Sequence, residues 1–237
     1  MLKSLLLILA LIIGQYTYAQ NTGDVDYFSI GMEKARQKDY TGALEAYNKA
    51  IALDSTSWQN YFNRGLAKKD LKNYQGALAD FTKAMQLSPE NEILYYSSGI
   101  TKYTLKDYKG AIADLDKLIS LEPAYPSAYL IRGNAKKELK NFKEAIVDYD
   151  NSIKTGPDAE ESFFQRGTLK GYQKDFAGAV ADFSKAIAIN PDNANSYVNR
   201  GLARLNNKQK EEACADFKKA IALGHASAKQ MLASYCK

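Results

Sequence analysis

The sequence predicts an all-α solenoid, six helical hairpins laid side by side and closed by a C-terminal helix. Three columns of residues predict it. Gly31, Gly65, Gly99, Gly133, Gly167 and Gly201 recur every 34 residues without a slip. Ala43, Ala77, Ala111, Ala145, Ala179 and Ala213 keep the same step. Pro89, Pro123, Pro157 and Pro191, four of the five prolines, keep it too. A fixed period of this size marks a stack of like units, each burying its apolar face on its neighbours.

The first element precedes the stack. Lys3 gives a basic start, Leu5 to Ile13 form an unbroken apolar run, and Thr17-Tyr18-Ala19 places small residues before a cut after Ala19. That order describes a cleaved export signal over 1–19. The apolar run is far shorter than the roughly 20 residues that cross a bilayer, so no membrane span is expected after cleavage. The two cysteines, Cys214 and Cys236, lie far downstream, which argues against a lipid anchor. Losing Lys3 lowers the net charge from +5 to +4. The expected location is the periplasm or exterior of a bacterium.

After a short lead at 20–23, the six copies tile 24–57, 58–91, 92–125, 126–159, 160–193 and 194–227, with a capping helix over 228–237. The second copy shows the pattern. Trp58 to Leu71 is helical, with Tyr61, Gly65 and Lys68 on one stripe. Lys72-Asn73 makes a turn, and Tyr74 to Leu87 resumes the periodicity with Ala77, Phe81 and Ala84. Ser88-Pro89 ends it, because proline cannot continue a helix. Small residues at Gly65 and Ala77 let the two helices approach. The sixth copy lacks the terminal proline and runs through Gly224-His225 into a helix over Ala226–Tyr235.

The pattern Tyr61, Gly65, Tyr74, Ala77, Phe81, Ala84, Pro89 resembles the tetratricopeptide repeat, a 34-residue helical hairpin. The resemblance implies a right-handed superhelical solenoid whose first helices line a concave surface that receives extended or helical peptides. Departures are local. The third copy has Leu115 and Leu118 where an aromatic and alanine are usual, the fourth has Ser152, and the sixth has Lys210 in place of the turn aromatic. Four aromatic columns, represented by Tyr61, Phe62, Tyr74 and Phe81, hold all nine Phe and eleven of the seventeen Tyr. The aromatic excess is therefore mostly repeat packing.

Two polar columns move together. Arg64, Arg132, Arg166 and Arg200 precede the repeat glycine, while Asp80, Asp148, Asp182 and Asp216 precede the core position of the second helix. The first copy has neither (Ile30, Ala46), and the third pairs Ser98 with Asp114. Co-occurrence points to a structural Arg–Asp pair in each hairpin rather than to general acid–base catalysis. Lys34, Lys68, Lys102, Lys136, Lys170 and Arg204 form an entirely basic column; together with the turn lysines it could make a basic edge for an acidic partner or envelope surface, but Asp39, Asp107 and Asp175 interrupt that edge, so the structural reading is favoured. Lys38, Lys72, Lys106, Lys140, Lys174 and Lys208 are expected to complement the dipole at the first-helix C-termini.

For a ligand, the most apolar stretch of the concave surface joins Phe62 and Leu66 to Ile93, Tyr96, Ile100 and Tyr103, which share a helix face. They are expected to form an exposed apolar patch of the kind that binds protein. Lys, Asn and Arg are scarce at these sites, so the carboxylate-clamp partners of chaperone-binding members are not expected. Cys214 and Cys236 are expected to pair in an exported chain and staple the cap. One His and two Cys leave no zinc cluster or His-rich metal centre, and no cofactor is expected. A mature charge of +4 makes nucleic acid a poor partner. No triad, phosphate loop or catalytic carboxylate pair stands out from the repeat columns.

The expected function is a non-enzymatic scaffold of the bacterial cell envelope that binds a peptide or protein segment in its groove. The alternative is a self-associating or permanently docked subunit of an envelope assembly or secretion complex, with a homo-oligomer possible.

Overall fold

The computed structural model describes residues 25–156 and 159–237, and over these it contains helices and turns but no strand. The export signal at 1–19, the lead at 20–23 and Pro157 lie outside the described residues. Thirteen helices are described. They pair as α1 (Tyr27–Arg36) with α2 (Tyr40–Leu53), α3 (Trp58–Asp70) with α4 (Tyr74–Leu87), and α5 (Glu92–Thr104) with α6 (Tyr108–Leu121). The pairs continue as α7 (Pro126–Glu138) with α8 (Phe142–Thr155), α9 (Glu160–Tyr172) with α10 (Phe176–Ile189), and α11 (Ala194–Asn206) with α12 (Lys210–Ala222). The closing helix α13 spans Ala228–Tyr235 and starts two residues later than the sequence suggested. Gly224 at φ +82° and the turn through His225 take up the difference.

Each hairpin turns in three residues, and the middle one is always lysine. Lys38, Lys72, Lys106, Lys140, Lys174 and Lys208 all have φ between 61° and 66°. In the second hairpin Lys72 N–H donates to Lys69 O and Asn73 N–H to Lys68 O, both at 2.8 Å. These are the two bonds of a Schellman stop, and the left-handed residue is what makes them reachable. The lysine column thus has a backbone duty beyond the dipole complement expected of it. Asn73 then opens the next helix, its side chain accepting from Gly76 N–H at 3.0 Å. Asp39, Asp107 and Asp175 cap in the same way. Where Glu144 and Glu212 replace the glycine, Asn141 and Gln209 make no side-chain cap bond.

Within each hairpin the repeat glycine receives the large side chain of the second helix. A Cβ on Gly65 would lie 2.6 Å from Phe81 and 3.3 Å from the Ala77 carbonyl oxygen. The decisive contact is therefore glycine on ring, with alanine's backbone behind it. Between hairpins the core is a row of small clusters rather than one centre. Ala43 and Tyr47 meet Ala67 of the next repeat. Ala145 and Tyr149 meet Leu169, and Ala179 and Phe183 meet Ala203. Each repeat leans on its neighbour alone, which is how a solenoid stabilises itself.

At the C-terminal end α13 buries Ala228 against Ile187, Tyr197, Val198 and Ala220. Cys214 and Cys236 are bonded, with Cα atoms 5.8 Å apart, and Tyr235 lies over Phe217. Among the described residues no helix is long and apolar enough to cross a membrane.

Candidate functional site

The polar columns meet inside the hairpins. Arg64 grips Asp80 with two hydrogen bonds, Nε to Oδ2 at 2.9 Å and Nη2 to Oδ1 at 2.6 Å. Lys68 Nζ lies 2.8 Å from the same carboxylate, and the guanidinium sits 5.5 Å from the Tyr61 ring centroid. The arrangement returns with Arg132, Asp148 and Lys136, with Arg166, Asp182 and Lys170, and with Arg200, Asp216 and Arg204. Each arginine spends its remaining Nη1 on the preceding repeat, reaching Asn48, Asp116, Asp150 or Ser184. Hydrogen bonding to Asp182 and Asp150 holds Arg166 above the usual guanidinium range. Every charge has a partner, so the network braces the stack and offers no free acid or base.

The column from Lys34 to Arg204 is taken up in the same way. Lys34 pairs with Asp39, and Lys102 with Asp114, so all six cations of that column are bound within the chain. For five of them the physical reason is the aspartate column, which places a largely buried carboxylate within reach; Lys34, whose hairpin has Ala46 there, pairs with the more exposed Asp39 instead. The third repeat is incomplete. Ser98 replaces the arginine, its hydroxyl is buried without a partner, and Lys102 Nζ sits 2.7 Å from Asp114 Oδ2 off the line a hydrogen bond needs.

The odd-numbered helices form the inner face. α1 touches α3, α5 touches α7, α7 touches α9 and α9 touches α11, whereas the even-numbered helices make no comparable contact with one another. Curvature toward the odd helices follows. Phe62, Leu66, Ile93, Tyr96, Ile100 and Tyr103 lie on these helices, but each is half-buried, not exposed as the sequence suggested. Aromatic packing covers them. Phe62 lies between Trp58 and Phe81 with centroids 6.1 and 5.8 Å away, Tyr96 meets Tyr125 at 5.1 Å, and Tyr103 meets Tyr108 at 5.5 Å.

Beside this strip the face turns polar. Tyr149 Oη donates to Asn134 Oδ1, and Lys137 Nζ to Gln165 Oε1, both at 2.8 Å. Burial first, then the neighbouring Tyr103 and Glu161, push the Tyr149 phenol well above the ordinary tyrosine range. Farther along, a hollow of about 280 Å³ opens between α9, α10 and α11. Gly171, Phe176, Phe183 and Leu202 line it, with Asn199 and Asn206 among its polar residues. An added Cβ on Gly171 would meet nothing within 4 Å, and Tyr172 beside it is 76% exposed. The sequence reading placed its site elsewhere. The signal for this hollow was a second glycine in one first helix, where other copies carry a side chain.

Family models described as TPR repeat match residues 31–72 and 172–208, and models of the tetratricopeptide repeat match 58–91, 93–125 and 194–223. Together they span more than half of the chain. The chain is a tetratricopeptide-repeat protein. Its all-α, right-handed superhelical solenoid is that of the family, and the unmatched stretch around α7 and α8 keeps the same hairpin and the same columns. No curated protein matches the chain.

Among solved structures, a tetratricopeptide repeat protein from Parabacteroides merdae is 25% identical, with a TM-score of 0.61 over 93% of this chain and 88% of that one. YrrB, described as a TPR protein with an unusual peptide-binding site, is 22% identical with a TM-score of 0.68, covering 79% of this chain and 98% of its own. PilF of Pseudomonas aeruginosa is 15% identical with a TM-score of 0.73, over 88% and 96%. The last two share the fold at identities that carry no function across.

Proposed function

We propose that this tetratricopeptide-repeat protein is a non-enzymatic scaffold whose inner face holds an extended peptide segment of a protein partner. The observation that carries the reading is the hollow over Gly171. A cavity with an aromatic floor and amide groups at its edge suits one bulky apolar side chain and the peptide groups beside it. The half-buried strip from Phe62 to Tyr103 continues the same face, so a segment anchored at α9–α11 has apolar surface to follow.

Filling the hollow tests this. Peptides selected from a display library on the intact chain are measured by calorimetry against Gly171→Leu and against Tyr96→Asp with Ile100→Asp. Affinity is expected to fall about tenfold or more, the equivalent of roughly 1.4 kcal/mol. Unchanged affinity in both variants, with melting curves preserved, rejects the groove.

The scaffold is further proposed to work in the bacterial envelope. The 1–19 segment supports export, and a Cys214–Cys236 bridge is what an oxidising compartment preserves. Cell fractionation with N-terminal sequencing is expected to find a chain starting at Gln20 outside the cytoplasm. A cytoplasmic chain that retains its first 19 residues overturns this part alone.

A further inference from the structure

The third hairpin keeps the aspartate of the polar pair without its arginine. The first hairpin lacks both members, with Ile30 and Ala46 in their places, so no charge there is left unmatched. In the third, Asp114 stands opposite Ser98. Asp80, Asp148, Asp182 and Asp216 each hold two cations, whereas Asp114 holds Lys102 alone. Its side chain is 12% exposed, against 1–5% for the other four. Its Oδ2 and the Ser98 hydroxyl are both buried without a hydrogen-bond partner. A carboxylate in such a setting keeps charge that nothing in the chain fully answers.

The other hairpins show what such a site takes. In each, a guanidinium donates from Nε and Nη2 to the two carboxylate oxygens, at 2.9–3.0 and 2.6–2.7 Å. An aromatic ring lies 5.4–5.5 Å away, and Nη1 reaches a polar side chain of the preceding repeat. The third hairpin has all of these receivers. α5 and α6 keep the lengths of α3 and α4. Tyr95 stands in the ring column, and its hydroxyl donates to the Pro89 carbonyl as that of Tyr129 donates to the Pro123 carbonyl. Thr82 stands for the preceding repeat. Its hydroxyl donates to Leu78 O; Ser184, which donates to Val180 O in the same way, still accepts from Arg200 at 3.1 Å. Lys102 is no obstacle, since Lys68, Lys136 and Lys170 share their aspartates with an arginine. The four native arginine side chains are 15–19% exposed, so this seat reaches the surface at its rim.

We propose that Asp114, Ser98, Tyr95 and Thr82 form a seat for the guanidinium group of a ligand, which occupies the place that arginine fills in the other hairpins. Lysine is a poor substitute there, because an ammonium offers neither the planar fork for the carboxylate nor a flat face for the ring. The bound group bridges Asp114 to the second repeat. The seat is built from α4, α5 and α6 and does not depend on the groove proposed above.

Amide NMR of the full chain tests it, with methylguanidinium and an acetylated, amidated Gly-Arg-Gly peptide as probes, both kept far below concentrations that unfold proteins. Saturable shifts are expected at Thr82, Ser98 and Asp114. Methylammonium and the corresponding Gly-Lys-Gly peptide are expected to bind at least about tenfold more weakly. Response to the arginine peptide identifies a side chain of a protein partner as the source, and response to methylguanidinium alone identifies a small guanidinium compound. Ser98→Arg fills the seat from within, and Asp114→Asn removes its charge. Both are expected to abolish the shifts, the first with its melting temperature undiminished, which separates an occupied seat from a damaged one. The absence of saturable shifts at these residues overturns the inference. So does an equal response to the lysine probes, or a response that persists in either variant.

Discussion

The glycine-on-ring contact shows how much one residue carries. In five of the six hairpins the second helix presents an aromatic ring to that column, and in the third it presents Leu115. A Cβ on Gly65 would stand 2.6 Å from Phe81, whereas one on Gly99 would stand 3.1 Å from the Leu115 side chain, which can rotate away. Overpacking of a filled core costs about 1–3 kcal/mol. Gly65→Ala is therefore expected in the upper part of that range by denaturant unfolding, and Gly99→Ala clearly below it. Equal losses would show that helix spacing, not the ring, sets the limit. Charge matters as much as volume at Arg132, whose carboxylate partner Asp148 is 1% exposed. Arg132→Ala leaves that carboxylate to Lys136 alone and also cuts the bond to Asp116. Removing one partner of a buried pair costs several kcal/mol, and the remaining lysine reduces this to roughly 2–3. A loss no larger than that of an exposed Lys→Ala control would contradict the bracing role.

At the scale of the helix, the second-helix starts divide by sequence. A capping side chain swings over the N3 backbone, and a Cβ there would collide with it, at 2.7 Å for Gly76 and Asn73. Among the second-helix starts, the four with glycine at N3 carry the cap bond and the two with Glu144 or Glu212 there do not, although Asp26 caps α1 with Ser29 at the same position. Asp107→Ala is expected to cost about 1 kcal/mol, while Asn141→Ala, which breaks no such bond, changes little. Thermal melts of the two variants make the comparison. Helix boundaries, hairpin pairing and the glycine, alanine and proline columns were readable in the sequence because recurrence exposes whatever all repeats share. The Arg–Asp pairs were readable for the same reason, since the two columns appear and vanish together. The left-handed lysines were not, because lysine is no usual sign of positive φ. Nor was the hollow over Gly171, which comes from a side chain missing once. Recurrence exposes columns and hides single departures. Phe62 and Tyr96 are half-buried rather than exposed partly because of Trp58 and Tyr125, covers that belong to no column shared by every copy.

Taken as a whole molecule, stability is a chain of nearest-neighbour joints, and the joints differ. The last is fastened by the Cys214–Cys236 bridge, which spans 22 residues and contributes about 3 kcal/mol in the chain-entropy model. Reduction is expected to lower the melting temperature and release α13 first, seen as loss of amide protection at Leu232 and Cys236. Elsewhere an arginine binds its own aspartate and the preceding repeat at once, across the joints at Arg64, Arg132, Arg166 and Arg200. Between the second and third repeats that link is missing, because Ser98 stands where arginine would be. Its counterpart on α4, Thr82, turns its hydroxyl back onto the Leu78 carbonyl. A hydrogen bond to a charged group contributes about 1.5–3 kcal/mol, so this joint is the place where the stack parts. Native-state hydrogen exchange is expected to show α1–α4 opening as one unit at lower free energy than α5–α12. Ser98→Arg supplies the missing side chain to a setting that already holds Asp114, Lys102 and the Tyr95 ring column, with the Thr82 hydroxyl in the place Ser184 occupies for Arg200. The variant should raise the protection of α3 and α4 toward that of α5 and bring the two units into one unfolding transition. If the substitution leaves α3 and α4 exchanging as before, the weakness of that joint has another origin than the absent arginine.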